Sequence, residues 1–214
     1  MIDLGPLYGL TLRTPRLELR LGTAADIGAL GELARRGIHP PDEMPFAVAW
    51  SDRIAEPSFA EEFAAYHAAG LSSWTPKSWR LDLLTWEGAE LAGTQSIQAD
   101  GFSTRRSVGT GSWLGRGFQG RGLGTEMRTA VLELAFRGLG AQVATSGWLE
   151  GNLASARVAE KLGYTETGLS EISPRGVGVP HHDMRLERED WVPVVPVEIV
   201  GLEPALTLFG VVSP

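Results

Sequence analysis

Cysteine does not occur among the 214 residues of the chain. Without thiols the protein forms no disulfide bond, offers no thiolate ligand to a metal and has no cysteine nucleophile. Any covalent catalysis would have to use another side chain, and redox chemistry by the protein itself is disfavoured.

The sequence also lacks a long apolar run and an excess of positive charge. No stretch of about 18 apolar residues occurs, and segment 1–20 does not place an apolar stretch after a basic one. We therefore expect a cytoplasmic protein without a membrane partner. The net charge of −7 argues against general binding to nucleic acid, because phosphate backbones favour clustered Lys and Arg.

The hydrophobic content of 43% is sufficient for one well-buried core. Period-two alternation and turn residues predict strands over 16–21, 79–86, 90–98, 107–115, 142–149, 164–172 and 184–189. Helical spacing predicts helices over 23–36, 57–69, 123–135 and 152–162. The proline-rich segment 39–45 predicts a surface loop, and Gly109 and Gly111 predict an irregular strand. The pattern indicates a mixed α/β fold.

A strand, a glycine-rich loop and a helix follow one another between residues 112 and 135. Gly120, Gly122 and Gly124 permit positive φ angles and close contact at the start of the helix. The first N–H groups of a helix are unpaired and carry partial positive charge, so this arrangement favours a phosphate. Nearby cations are Arg116, Arg121 and Arg128. The alternative interpretation is a turn that only connects the strand to the helix.

Two other nucleotide-binding motifs were compared with this segment, and only one of them occurs in the sequence. Gly115, Gly117 and Gly120 spell the dinucleotide pattern GxGxxG. A Rossmann unit also requires an acidic residue about 20 residues further on, and Glu150 comes about ten residues too late. The nucleoside triphosphatase motif GxxxxGK[S/T] is absent from the sequence.

Two segments resemble the signatures of the GNAT superfamily of acyl-CoA-dependent N-acyltransferases. Gln119–Gly124 fits the pyrophosphate signature, and Asn152–Ser155 followed by Lys161–Tyr164 fits the second signature. The similarity extends from about Thr11 to Trp191 and is strongest to the ribosomal-protein N-terminal acetyltransferase branch. Met44–Phe46, Ser112–Gly115 and Leu208–Gly210 resemble actinobacterial members, some of which use succinyl-CoA.

This resemblance implies a GNAT fold with a central twisted mixed sheet flanked by helices. It implies direct transfer of an acyl group from acetyl-CoA or succinyl-CoA to a primary amine in a ternary complex, without a metal. The amine belongs to a small molecule or a protein. The cofactor contacts of the family fall on Trp113, Leu114, Gln119, Gly120, Arg121, Gly122, Leu123, Gly124, Thr125, Asn152 and Ser155. Asn152 is equally suited to be a helix N-cap.

The resemblance also assigns catalytic roles. The Leu114 N–H is implied as the oxyanion donor. The tyrosine acid of many GNAT enzymes is replaced by Ala159, and the branch resembled here uses a serine at the position of Ser155 to assist the departing thiol. A serine in a first helical turn is also common for structural reasons. The general base is left open among Glu43, which we rank first, and Asp42, Asp100 and Asp183.

Histidines and tryptophans offer weaker signals. His181 and His182 are adjacent and would point to opposite faces of a strand, which argues against a shared metal. The seven tryptophans are mostly candidates for the core. Trp74, Trp79 and Trp148 are alternative candidates for an acceptor tunnel.

The expected organisation is an acyltransferase domain over 1–191 and a β-rich extension over 192–214. Alternating Val195, Val197 and Ile199, a turn at Glu203 and a returning apolar segment predict a hairpin in this extension. The hairpin would pack on the domain or on another subunit, so we expect a homo-oligomer. Two alternatives to the enzyme remain, a catalytically idle acyl-CoA-binding module and a dinucleotide-dependent oxidoreductase.

Overall fold

A computed structural model of the chain describes residues 2–211. The strands are β1 (Thr11–Arg13), β2 (Leu17–Arg20), β3 (Ser78–Glu87), β4 (Glu90–Asp100), β5 (Ser107–Leu114), β6 (Val143–Leu149), β7 (Thr165–Ile172), β8 (Val179–Glu187) and β9 (Glu198–Val200). The α-helices are α1 (Ala24–Arg35), α2 (Phe59–Ser72), α3 (Phe102–Arg105), α4 (Leu123–Glu133) and α5 (Leu153–Lys161). Helix α4 continues into a π-helical turn, Leu134–Gly138.

The strands form one sheet in the order β7-β8-β6-β5-β4-β3-β2-β1-β9. Neighbouring strands are antiparallel except for β5 and β6, which are parallel. Helices α1 and α2 pack on one face of the sheet, in a cluster with Leu84 and Trp113. Helices α4 and α5 contribute Met127 and Ala159 to the larger core on the other face. The predicted mixed α/β class, with one sheet between helices, is confirmed.

Local signals placed most elements correctly. The side chain of Thr23 accepts a hydrogen bond from the Asp26 N–H, and the Asp26 carboxylate accepts one from the Thr23 N–H, so the predicted start of α1 has a complete capping box. The helix ends before Gly37, which has a positive φ of 113°. Segment 39–45 is a loop, as its prolines predicted.

Two predictions about the strands are wrong. The register between β4 and β5 runs without a shift past both Gly109 and Gly111, so the predicted irregularity is absent from this pairing. Strand β8 begins at Val179 and not at Met184. Its first half is polar because His181, His182 and Asp183 are part of it, and apolar alternation does not detect a polar strand that is held by backbone pairing to β6 and β7.

The C-terminal segment is not a hairpin. Its first apolar run forms β9, which pairs with β1, but Glu203–Phe209 is a 3-10 helix instead of a returning strand. The ring of Phe209 packs 5.4 Å from Trp74 and 4.9 Å from Trp79, and the Trp74 indole N–H donates to the Leu208 carbonyl. The apolar residues therefore seal the core of their own domain. Residues 212–214 lie outside the described part of the chain.

Candidate functional site

A gap opens in the middle of the sheet between its two parallel strands. Pairing of β5 with β6 covers only Ser107 to Gly109 on the first strand and Val143 to Thr145 on the second. Both strands continue for several residues, to Leu114 and Leu149, without backbone pairing between them. The separation of these strands leaves backbone groups of β5 without a strand partner.

The glycine-rich loop lies at the open end of this gap. Gly120 and Gly122 have positive φ angles of 73° and 81°, a region that L side chains rarely adopt. Gly122 is the N-cap of α4 and provides no side-chain cap. The first N–H groups of α4, from Leu123 to Thr125, therefore have no side-chain cap, and the anion site predicted from the glycine spacing remains a prediction.

Buried polar contacts hold the loop in place. Glu126, which is only 3% exposed, accepts hydrogen bonds from the Thr14 hydroxyl and from the Arg16 N–H and guanidinium. The guanidinium of Arg16 also donates to the Arg121 carbonyl at 2.9 Å. The Gln119 amide donates to the carbonyls of Ile38 and Leu114, at 2.6 and 2.8 Å. The signature glutamine thus ties the loop to the end of β5 and to the segment after α1.

The three predicted cations have different surroundings. Arg121 pairs with Glu87 at 2.8 Å, and Arg116 is exposed beside the loop. Arg128 does not lie at the anion site, because it belongs to the second turn of α4 and points at the sheet. Arg128 is 5% exposed, and its guanidinium donates to Gln95, Ser112 and Ser146, on β4, β5 and β6. Helical spacing alone could have placed Arg128 in the second turn of α4, because it lies six residues after Gly122.

The peptide groups of β5 alternate between the two neighbouring strands. Gly115 N–H donates to Ala92 on the β4 side, whereas the Thr110 carbonyl accepts from Ser146 on the β6 side. Alternation therefore turns the peptide groups of Ser112 and Leu114 into the gap and that of Trp113 toward β4. The Leu114 N–H has the orientation that its predicted role requires. Trp113 contributes its side chain to the α1 and α2 face, where its ring lies 5.7 Å from Trp50.

Helix α5 borders the gap from the α4 side. The Asn152 side chain caps this helix by accepting a hydrogen bond from the Ser155 N–H at 3.1 Å, and its amide donates to the Pro45 carbonyl. Ser155 lies in the first turn and is half-buried. Ala159 is buried in the core, one turn further along α5. The predicted N-cap is confirmed, and the predicted contacts of Asn152 and Ser155 with a cofactor remain predictions.

The loop between α1 and α2 crosses the open end of the gap on the opposite face. Phe46 packs on Trp50, which packs on Trp113 of β5. Arg175, between β7 and β8, forms a two-pronged ion pair with Asp52, and this hydrogen-bonded guanidinium lowers the pKa of the Asp52 carboxyl. This ion pair joins parts of the chain that are more than 120 residues apart, which no local pattern reveals. Glu43 lies exposed in the same loop.

The two adjacent histidines of β8 point to opposite faces, as predicted. A Cβ built on Gly147 would overlap the Cε1 and Nε2 atoms of His181, so this ring covers Gly147 on the α1 and α2 face. His182 stacks on Trp148 on the other face, with ring centroids 3.7 Å apart. It lies between Glu150 and Glu166, whose hydrogen bonds raise the pKa of the His182 imidazole.

The remaining candidates for a base or a tunnel are dispersed. Asp100 pairs with Arg105, and Asp42 is exposed in the loop before α2. Trp74 and Trp79 are buried in the core, as most tryptophans were expected to be, and Trp148 lines a cavity of about 450 Å³ beside α5. Among residues 2–211 no group of three His, Asp or Glu side chains is placed to hold a metal ion. Over the same residues, no helix has the length and apolar character needed to cross a membrane.

A second cavity lies under α2 on the same face as His181. Its volume is about 500 Å³. It is bounded by the paired ends of β5 and β6, at Gly109 and Thr145, and by polar side chains that include Arg80 and Gln98. The face of the sheet opposite α4 therefore offers polar space next to the closed end of the gap.

The fold, with β5 and β6 separated beside a glycine-rich loop, is that of the acyl-CoA-dependent N-acyltransferases. Residues 16–165 match the family described as acetyltransferase (GNAT) domain, and the chain belongs to this family. The Rossmann alternative does not agree with the fold, because the loop connects to a sheet in which the neighbouring strand β4 is antiparallel.

Solved structures with the same fold are distant in sequence. RimJ of Mycobacterium smegmatis, in complex with CoA-disulfide, has 18% identity and a TM-score of 0.67, and the match covers 94% of this chain and 95% of that one. The ribosomal-protein-S5-alanine acetyltransferase of Vibrio fischeri has 14% identity and a TM-score of 0.62, with 86% and 99% covered. The microcin C7 self-immunity acetyltransferase MccE, in complex with acetyl-CoA and AMP, has 16% identity and a TM-score of 0.62, with 81% and 93% covered.

Proposed function

We propose that the protein transfers an acyl group from an acyl-CoA to a primary amine by direct attack in a ternary complex. The observation that carries this proposal is the gap between β5 and β6, with the free N–H groups of the loop at its mouth and the Leu114 N–H directed into it. A phosphate site and an oxyanion donor are thereby aligned along one open strand edge.

The donor would occupy this edge from the loop inward. Its pyrophosphate would accept hydrogen bonds from the backbone of residues 120–125, where the helix dipole adds positive potential. Its pantetheine arm carries amide groups that would pair with the gap-facing peptide of Ser112, as an added strand does. Asn152 and Ser155 would face the arm from α5.

The chemistry requires stabilisation of a negative charge on the thioester oxygen. The Leu114 N–H is a fixed donor of the kind that stabilises such an oxyanion. Ser155 would donate a hydrogen bond to the departing sulfur, although a thiol of pKa about 8.5 needs little assistance. No covalent intermediate with the enzyme is required.

The acceptor class is a primary amine on a small molecule or a protein. The polar cavity beneath α2 and the loop over the gap lie on the face from which such an amine would approach. The similar structures include an enzyme described as a ribosomal-protein-S5-alanine acetyltransferase, which supports a protein amine as one candidate. We also propose a cytoplasmic location and a homo-oligomer. Light scattering of the full chain measures the oligomeric state.

A succinyl donor is favoured by one specific observation. The buried guanidinium of Arg128 borders the gap, and its hydrogen bonds go to the neutral oxygens of Gln95, Ser112 and Ser146. Three of its five N–H donors are used in this way, which leaves one on each terminal nitrogen. A carboxylate at the end of a succinyl group would supply the negative partner, whereas an acetyl group would not.

Release of CoA thiol with a panel of amines tests the proposal for both donors. We expect acetyl-CoA and succinyl-CoA to compete for one site, since both carry the same pyrophosphate. Arg128→Met should lower kcat/KM for succinyl-CoA by about 10-fold to 100-fold more than for acetyl-CoA, the loss of one charged hydrogen bond. An equal loss for both donors would make Arg128 a structural group. CoA binding without turnover of either donor would favour the idle module.

A further inference from the structure

The imidazole of His181 lies beside the open part of the gap. Gly147 belongs to the unpaired half of β6, and its peptide faces β5, because the neighbouring Thr145 carbonyl two residues earlier accepts from Thr110 of that strand. A glycine at this position leaves room for the His181 ring to lie directly over the strand. The ring therefore lies over β6, the strand that borders the gap, on the face opposite α4.

One nitrogen of this ring is fixed by a carboxylate. Nδ1 of His181 lies 2.9 Å from Oδ1 of Asp183, two residues along the same face of β8, and 3.4 Å from the Ser170 hydroxyl. An Nδ1–H that donates to Asp183 leaves the lone pair on Nε2. Nε2 is the atom that lies over Gly147, so the free base position of the ring is the one nearest the gap.

The other candidates are placed less well. Glu43 is exposed in the loop, and Asp100 forms an ion pair with Arg105 near the start of β5, at the closed end of the gap. His182 stacks on Trp148 and faces α5. Asp183, which the sequence suggested as a base, is engaged with His181.

We infer that His181 is the general base that receives the proton of the attacking amine, and that Asp183 is its positioning residue. This assignment rests on the proposed transferase activity. It follows from a ring that lies over the strand beside the gap, with Nε2 free and Nδ1 held by a carboxylate, the arrangement by which a histidine base is oriented. The cysteine-free chain needs no nucleophile of its own for this chemistry.

In the proposed reaction, the neutral amine nitrogen forms a bond to the thioester carbon. The thioester oxygen takes the negative charge beside the Leu114 N–H. Nε2 of His181 accepts a proton from that nitrogen. The carbon–sulfur bond then breaks, the electron pair leaves on sulfur, and the carbonyl reforms as an amide. The thiolate takes up a proton, and His181 returns its proton to solvent.

Four single variants test the assignment by thiol release. His181→Ala should lower kcat by about 100-fold or more, the usual contribution of a general base, and added imidazole should restore part of it. His182→Ala is the matched control, one residue away on the opposite face, and should keep most of its turnover without a response to imidazole. Asp183→Asn should give a smaller loss, since the base remains. Gly147→Ala should also lower kcat, because the new methyl group displaces the ring.

A melting shift with CoA separates a failed fold from a failed reaction. All four variants should keep the shift of the wild-type protein, since none touches the loop. A stable His181→Ala variant that binds CoA and keeps wild-type turnover would overturn the assignment of His181. The same conclusion follows if its turnover is reduced and added imidazole does not restore it. Neither result would affect the proposed transferase function. If His181→Ala does not fold, wild-type turnover in Gly147→Ala overturns it. A wild-type protein without turnover of any amine overturns the proposed function as well.

Discussion

The two sides of the gap between β5 and β6 are built from different parts of the chain. On the α4 side, the proposed donor site consists of backbone: the N–H groups after Gly122 and the gap-facing peptide of Leu114. On the other side, the proposed acceptor face consists of side chains that come from β8 and from the loop before α2. The first construction depends on local conformation, and the second depends on contacts such as that between Arg175 and Asp52.

This difference explains why only one side can be recognised in a sequence. Backbone sites need glycines at fixed spacing, because positive φ angles and close approach tolerate few other residues. Side-chain sites need only the correct residues at one place in space, and many spacings achieve this. The donor site should therefore be sensitive to backbone changes, and the acceptor face to side-chain chemistry.

The largest expected effect follows from a backbone change in the loop. Gly122→Val forces a β-branched residue to a φ of 81° and places its side chain where the phosphate approaches. Binding of CoA should weaken by about 100-fold or more, equivalent to ~2.7 kcal/mol or more, and the melting shift with CoA should disappear. Differential scanning fluorimetry with increasing CoA measures this loss.

Gly117→Val provides the control within the same segment. Gly117 does not have a positive φ, and no atom outside its neighbours lies within 4 Å of a built Cβ. This variant should keep the CoA-dependent shift. If Gly122→Val binds CoA like the wild type, the backbone of the glycine loop does not form the donor site. The comparison between a donor site made of backbone and an acceptor face made of side chains would then fail.

The fold was largely predictable where local signals were strong. The capping box at Thr23 and the glycine loop before α4 each fix an element from a few adjacent residues. The prediction of a hairpin in the C-terminal segment was wrong. The alternation of apolar residues identified the side chains that are buried, but it did not identify the place in the core, between Trp74 and Trp79, that Phe209 fills. Tertiary packing converted a predicted strand into a 3-10 helix.

The candidate site was predictable to a similar extent. Gly120 and Gly122 were identified by spacing, whereas Arg128, which was expected near the loop, points at the sheet from the second turn of α4. The position of His181 over Gly147 depends on the pairing of β8 with β6, which joins residues more than 30 positions apart. An adjacent pair of histidines indicated two faces but not which face meets the gap.

A smaller effect is expected at the boundary between the two sides. Ser155→Ala should lower kcat by about 10-fold, less than the ~100-fold of a required general acid, because the thiol leaves readily by itself. Donor affinity should change little, since the Ser155 contact with the Asn152 cap uses its backbone N–H. Ser155→Thr keeps the hydroxyl and should retain more turnover than alanine. Unchanged kcat in the alanine variant would assign Ser155 to helix structure alone.

The smallest effect concerns His182, which shares a strand with His181 but faces the α5 side. The hydrogen bonds that this imidazole donates to the carboxylates of Glu150 and Glu166 raise its pKa above the ordinary value. A raised pKa in the folded state means that the charged ring stabilises the fold fully below about pH 6.5 and loses this contribution as the pH rises through the raised value. The difference in Tm between wild type and His182→Gln should thus be larger at about pH 5.5 than at about pH 9. Thermal scans of both proteins at the two pH values measure it. A difference that does not change with pH would show that His182 contributes only its stacking on Trp148, and that charge plays no part on this side of β8.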